Sequence, residues 1–385
     1  MADDRVFVLH SVPDDWLPLT QNWIWEQVRH SGLPSAVMAD GLLRDSPEAT
    51  PLHVRERDQS PLLTQVEHIA TRRFDLSLSL FRRRVARRYA GSRTVVFSHF
   101  GYQGYRDLPL AKHRHITRFY GWDLHSFPNR FPRWRARYRE LFDRCDMFLV
   151  EGAYMRRTLC EQLGCPPEKI AVHHLGTDLT GVPWRERVLA HRPLRVLLAG
   201  AFREKKGFIY ALEGIGLACR EGGGLEVHID IVGDTGGHPD AETYRVQMDT
   251  VIERFGLRPS VTFHGFVDKA RLQQLALECD LAIFASVTTA DGDCEGGYPI
   301  TILDTMATGL PAIGTMHCDI PEVITAGTGA LCPERDGAAI ARALLKFARS
   351  SDLLTRASLA ARRKAEEYSW ACLGARLRQA VVALA

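Results

Sequence analysis

Short apolar runs that suit strands alternate with longer stretches of helical periodicity along the whole of this 385-residue chain, and that alternation leaves few architectures open. A run such as Leu281–Phe284 is apolar at every position, so both its faces must be covered, as happens in a parallel sheet flanked by helices. We expect a first series of strands at Val6–His10, Val95–Phe100, Ile116–Gly121, Met147–Glu151 and Ala171–His174. A second series is expected at Arg195–Gly200, Val227–Gly233, Ser260–Gly265, Leu281–Ser286, Pro311–Gly314 and Gly329–Cys332. Between them Thr177–Pro193 carries prolines and many charges and reads as the linker. The length exceeds what one core usually serves. The expected fold class is α/β, with two doubly wound Rossmann-like domains facing a central cleft. The first would span 1–180 plus a C-terminal helix over 368–385 that crosses back to it, and the second 190–367.

Bulk properties exclude several classes. No run approaches the ~20 apolar residues of a membrane span, and the segment Met1 to Arg5 lacks the basic start and apolar core of a signal peptide. Nine cysteines form an odd set without a Cys-x-x-Cys pair, which argues against a disulfide framework or a zinc site and for a reduced compartment. The expected setting is therefore cytoplasmic. A formal charge of +3 carries no nucleic-acid signature, but it is unevenly spread. Residues 72–93 hold Arg72, Arg73, Arg82, Arg83, Arg84, Arg87, Arg88 and Arg93 against Asp75 alone. Leu78, Phe81, Val85 and Tyr89 fall near helical spacing, which leaves most arginines on the opposite face. Such a helix could rest peripherally on the inner face of an anionic membrane or meet a lipid-linked phosphate; an arginine face that meets only water is the competing reading.

Two stretches carry chemistry. Gly200-Ala-Phe-Arg-Glu-Lys-Lys-Gly207 follows one expected strand and precedes an expected helix at Phe208–Ala218. Arg203, Lys205 and Lys206 on that turn can hold a diphosphate while its leaving charge grows. The glycine spacing fits neither a dinucleotide loop nor a Walker loop. In the second stretch, 295–311, Gly296 and Gly297 let backbone N–H groups approach a ligand, and Pro299 suits the first turn of a helix over Ile300–Thr308. Glu295 lies where a hexose's hydroxyls could sit, and Asp304 could accept both hydroxyls of a ribose. Together the two stretches describe a nucleotide-sugar site. His99 either faces the cleft or is a satisfied structural histidine, and Asp123 either orients an acceptor hydroxyl or caps the next segment. Asp291 and Asp293 invite a divalent cation. Trp16, Trp23 and Trp25 are core or acceptor wall.

These residues resemble the retaining glycosyltransferases of the GT-B fold, sequence family four. The C-terminal half carries the resemblance at Lys206-Gly207, Ile231-Val-Gly-Asp234, Phe263-His-Gly-Phe-Val267, Cys279-Asp-Leu-Ala-Ile-Phe284 and Glu295 through Pro311. The N-terminal half is similar more loosely, at Trp16-Leu-Pro-Leu-Thr20, His99-Phe-Gly101, Tyr120-Gly-Trp-Asp123 and Gly176-Thr-Asp178. The resemblance implies transfer of a hexose-type sugar from a nucleoside diphosphate sugar to a hydroxyl acceptor, with retention and without a metal or further cofactor. The setting implied is polysaccharide, glycolipid or natural-product glycoside biosynthesis. The arginine-rich helix points to a lipid-linked saccharide as acceptor, with a soluble small molecule or antibiotic scaffold as the competing reading, and no nucleic acid is expected.

Carried onto this chain, the resemblance has Arg203 and Lys206 face the diphosphate beside Gly200, Glu295 face the donor sugar, and Asp304 hold the ribose. Backbone from Gly296 and Gly297 through Tyr298, Pro299 and Ile300 to Thr301 would cradle phosphate and sugar, with base contacts near Phe266 and Val267. His99 joins Glu295, Lys206 and Arg203 as a catalytic candidate, and Tyr120 and Asp123 take the acceptor or sugar side. Cationic side chains and helix dipoles would neutralise the diphosphate, which leaves Asp291 and Asp293 as a loop edge. Three positions depart from the family pattern: Asp304 stands where Glu is usual, Ala201 follows Gly200 where Gly-Arg is common, and Tyr120 replaces a histidine. They keep open a non-catalytic nucleotide-sugar-binding subunit, and a nucleotide-sugar epimerase of the same fold is a further alternative.

Overall fold

The computed structural model describes residues 6–16, 22–43, 50–74, 78–89, 93–110, 112–190, 193–237 and 240–385, without the side chains of 68 and 71–74. Of the sequence features above, 17–20 of the first tryptophan motif, the N-terminal five residues, and Arg72, Arg73 and Asp75 as side chains lie outside the described residues. The chain forms two compact units, Met1–Leu175 with Trp370–Ala385, and Gly176–Ser369.

In the first unit the strands are β1 Val6–Ser11, β2 Asp15–Trp16, β3 Ser35–Ala39, β4 Gly41–Leu42, β5 Leu52–Val54, β6 Arg93–His99, β7 Arg114–Arg118, β8 Met147–Val150 and β9 Ile170–Val172. Seven form one parallel sheet in the order β5-β3-β1-β6-β7-β8-β9, while β2 and β4 make a small parallel pair. Strands β3 and β5 are absent from the sequence expectation, because both are short and follow prolines. Carbonyls of those prolines nonetheless join the sheet, Pro34 accepting from Val8 N and Pro51 from Val37 N, both at 2.9 Å. Strand β7 begins at a charged residue, two before the expected Ile116, since Arg114 can reach Asp146 (2.9 Å) beyond the sheet edge.

The second unit holds β10 Leu194–Ala199, β11 Val227–Val232, β12 Val261–Gly265, β13 Leu281–Phe284, β14 Ala312–Thr315 and β15 Gly329–Cys332. They pair in parallel in the order β12-β11-β10-β13-β14-β15, the doubly wound order of a dinucleotide-type fold. Helices Phe208–Glu221 and Gly337–Ala348 pack closely on one face of this sheet, which requires a glycine at their crossing: a Cβ on Gly214 would lie 2.5 Å from Ile340 Cγ2. The C-terminal helix Trp370–Leu384 belongs to the first unit, where Leu377 and Val381 join Val6, Val8, Val95 and Phe97 in one buried cluster.

Two expectations need correction. The segment from Thr177 is no free linker, because Arg187 is fully buried within the second unit. Among the arginines of 72–93, most of them expected on the face opposite the apolar residues, Arg82 instead shares the buried face. In the helix Leu80–Arg88 the guanidinium of Arg82 is buried, donating to Asp40 Oδ1 (2.7 Å), Ser11 Oγ (3.1 Å) and Val12 O (2.9 Å). Burial disfavours that charge, but Asp40 and Asp107 outweigh it and raise the guanidinium's pKa. Trp16 and Trp25 are core, edge-on at 6.2 Å, while Trp23 lies against Tyr120 at 4.2 Å.

Candidate active site

Strands β10 and β13 are adjacent at the point where the order of the second sheet reverses, and the turns after them lie at the carboxyl edge where open α/β sheets bind ligands. The turn after β10 is a 3-10 segment, Glu204–Lys206, closed by Gly207 at φ +64. Only glycine serves there, because a Cβ would sit 1.7 Å from Ala285 O on the turn after β13. Val287 N also donates to Lys205 O (2.9 Å), so the two turns are bound backbone to backbone.

This close approach sets cations of one turn against carboxylates of the other. Lys206 Nζ lies 2.9 Å from Glu295 Oε2, Arg203 2.7 Å from Asp293 Oδ2, and Lys205 3.1 Å from Asp293 Oδ1. The Glu295 side chain is 7% exposed, and its other oxygen accepts from Ser286 Oγ (2.9 Å). Burial pushes this carboxyl up, but Lys206, then Lys205, and also His317 outweigh it and hold it at about 2. Its backbone N–H donates to His317 Nε2 (3.1 Å), and His317 Nδ1 donates to Glu334 (2.7 Å), which also accepts from Thr288 N (2.9 Å). Ser286, His317 and Glu334 escaped the sequence reading. Asp293 is neutralised by two cations, and Asp291 closes a turn by accepting from Thr289 Oγ1 (2.5 Å).

Downstream, Gly296 takes φ +80, and Gly297 O accepts from Asp319 N (3.2 Å). Pro299 is extended just before the helix Ile300–Met306, which ends earlier than expected, in a turn through Gly309 at φ +80. Ile300 and Thr301 are half-buried, whereas Tyr298 is core, edge-on to Tyr368 at 6.1 Å. Asp304 is buried, and its Oδ1 accepts from Thr177 Oγ1 (2.6 Å) and pairs with Lys269 (2.8 Å). Lys269 begins the helix after β12, a few residues beyond Phe266, which is exposed, and Val267, which packs on the core. Lys269 and Thr177 were not foreseen. Gly200, at φ +154, extends the turn after β10.

The candidates of the first unit cluster by themselves. His99 is completely buried; its Nδ1 accepts from Tyr120 Oη (2.6 Å), and its Nε2 donates to His10 Nδ1 (3.0 Å), in the tautomer that lets Gln27 Nε2 donate to Tyr120 (3.2 Å). Burial, then His10 and Arg118, hold His99 well below the usual range, so it stays neutral. Both ring nitrogens are engaged, as in the structural reading of this residue. Asp123 receives the N–H of Gly101 (2.6 Å) and of Tyr120 (2.8 Å), clasping the turns after β6 and β7. Burial raises it to about 6 against those two hydrogen bonds.

Doubly wound sheets of this kind, one with a cation-lined turn at its switch point, define the GT-B class of glycosyltransferases. Residues 193–350 match the domain described as glycosyl transferases group 1, and residues 43–180 match glycosyltransferase family 4. The chain belongs to this glycosyltransferase family. It is 31% identical over 263 residues to a Salmonella typhimurium protein named for glycosyl transfer in colanic acid biosynthesis, WcaL, covering 66% of this chain and 61% of that one. It is 31% identical over 278 residues to the amylovoran biosynthesis glycosyltransferase AmsK of Erwinia amylovora, covering 71% and 65%. The match thus spans less than two thirds of either relative's length. Among solved structures, HepE of Anabaena bound to UDP is similar with TM-score 0.75 and 14% identity over 98% of this chain and 99% of that one. Sucrose-phosphate synthase of Thermosynechococcus elongatus is similar with TM-score 0.71 and 14% identity, over 99% of each. At such identity the likeness is one of fold.

Proposed function

We propose that this chain transfers a hexose-type sugar from a nucleoside diphosphate sugar to a hydroxyl acceptor during assembly of a polysaccharide, with retention and without a metal. The observation that carries the proposal is the meeting of Arg203, Lys205 and Lys206 with Asp293 and Glu295 at the switch point of the second sheet. Three cations there supply the field that a departing diphosphate needs, and they do so from a turn fixed by backbone hydrogen bonds. With donor bound, the diphosphate takes over Arg203 and Lys205 from Asp293. Glu295, ionised and aimed by Ser286 and by the His317–Glu334 pair, accepts from donor sugar hydroxyls. Asp304 presents its second oxygen to the ribose.

Retention follows the family resemblance. The acceptor attacks from the face the diphosphate leaves, and the leaving phosphate takes the acceptor proton, so no side-chain base is assigned. Support for the substrate classes comes from the names of WcaL and AmsK and from HepE, which was solved with UDP and with UDP-glucose. A lipid-linked saccharide is the proposed acceptor. The test is a thermal-shift panel of nucleoside diphosphates and their sugars, followed by a donor-turnover assay. One nucleoside diphosphate should raise the melting temperature of the wild type, and Arg203→Ala should lower turnover on the order of 10²-fold. A panel without any stabilising nucleotide would overturn the proposal.

A further inference from the structure

The helix Pro61–Phe74 in the first unit is amphipathic the wrong way round. Its buried side carries Glu67 and Ala70, while Leu62 (71% exposed), Val66 (42%) and Ile69 (49%) follow one another at i, i+4 and i+7 on the outside, with Leu63 beside them. Single exposed apolar residues need no explanation, but a helical stripe of them does. Glu67 is not misplaced: its carboxylate accepts from Gln59 Nε2 (2.7 Å) and from Leu80 N, the first residue of the arginine helix Leu80–Arg88. One buried acid therefore ties the apolar stripe to the arginines. On the second helix Phe81, Arg82, Val85 and Ala86 are buried, and Arg83, Arg87 and Arg88 are exposed. Arg83 and Arg87 go on to line a groove of ≈ 720 Å³ with Arg93, Lys112, His113 and Arg114.

We propose that this pair of helices docks the protein on an anionic bilayer. Leu62, Val66 and Ile69 enter the boundary between headgroups and acyl chains, and Arg83, Arg87 and Arg88 meet lipid phosphates. An apolar stripe next to a polybasic surface is the composition that binding in the interfacial plane requires. Among the described residues no helix is long and apolar enough to cross a membrane, so the attachment is peripheral. Charge complementarity selects the occupant: a second copy seated on the same surface would bring like arginines together, whereas phosphate headgroups neutralise them. The inference is independent of the donor site in the second unit.

The experiment is sedimentation of the full chain with phosphatidylcholine vesicles, alone and mixed with phosphatidylglycerol. Wild type should pellet with the mixed vesicles at low salt and be released as salt rises. Val66→Glu/Ile69→Glu should reduce the bound fraction on both kinds of vesicle, and Arg83→Glu/Arg87→Glu should cut the preference for phosphatidylglycerol by at least about tenfold. All four positions are exposed, so both variants should keep the wild-type circular dichroism and melting temperature. Failure of wild type to pellet with mixed vesicles would overturn the proposal, as would variants that pellet like wild type. A dimer in solution that Val66→Glu/Ile69→Glu dissociates, without vesicle binding by wild type, would assign the face to a second copy instead.

Discussion

Replacing Lys206 by Ala removes the strongest counter-charge from a buried carboxylate, and the consequence can be worked from the structure. An ordinary glutamate titrates at 4.5, and Glu295 is held at about 2. That gap corresponds to about 3 kcal/mol of folding free energy, at 1.36 kcal/mol per pH unit. Because the folded value is depressed, the contribution is complete above pH 4.5 and is lost as pH falls toward 2. In Lys206→Ala only Lys205, His317 and the Ser286 hydroxyl still favour the charge, and burial opposes them. We expect the second unit to lose about 2–3 kcal/mol at pH 7, a fall of roughly 5–10 °C in its melting temperature for a unit of this size.

The acid limb should flatten at the same time, because a neutral carboxyl now costs the fold little. Adding Glu295→Gln should restore most of the loss, since the uncompensated charge is then gone. The assay is calorimetry of the full chain between pH 3 and 7, with hydrogen exchange to assign the transition to the second unit, as two units need not melt as one. A single variant that melts like wild type with an unchanged acid limb, or a double variant no better than the single, would refute the reasoning.

Two further outcomes are expected. His10 and His173 in the first unit are each lowered to about 3, by burial first and, for His173, by Arg118 next. They stay neutral in the fold and protonate in the unfolded chain below 6.5, so each should withdraw about 2 kcal/mol between pH 7 and 5. The transition of the first unit should fall by roughly 10 °C over that range, before Glu295 begins to titrate; a flat melting temperature to pH 5 would contradict this. On the proposed function, Asp293→Asn removes the carboxylate that a diphosphate would displace from Arg203 and Lys205, both on a partly solvated turn. Calorimetric titration with the nucleoside diphosphate that stabilises wild type should show tighter binding, by up to about fivefold. Weaker binding would mean that Asp293 is needed to shape the turn.

The second unit was the more legible half, because its strands are apolar runs whose burial shows in their own composition. Strands β3 and β5 are short, and the neighbours that make them strands come from elsewhere in the chain. Arg203, Lys205 and Lys206 could be found because their chemistry resides on one local turn. The groups that hold Glu295 could not: His317 lies 22 residues further on, and only the parallel order β13-β14 brings it beneath the Glu295 N–H. Asp304 meets Thr177 across 127 residues, a pairing no local pattern carries. Arg82 misled for the same reason. It shares a helix face with Phe81, Val85 and Ala86, and its acceptors Ser11, Val12 and Asp40 lie on or beside other strands.

The buried guanidinium of Arg187 has a practical consequence. It donates to the carbonyls of Ala276 (2.7 Å), Cys279 (3.2 Å) and Thr308, the open ends of two helices, and burial, then Arg185, lowers its pKa to about 9. Yet it falls between the two matched family domains, which stop at residue 180 and resume at 193. An expression fragment of the second unit cut at the domain match would therefore discard a plug of its own interior and leave carbonyls at both helix ends without their donor. A fragment begun at Gly176 keeps it.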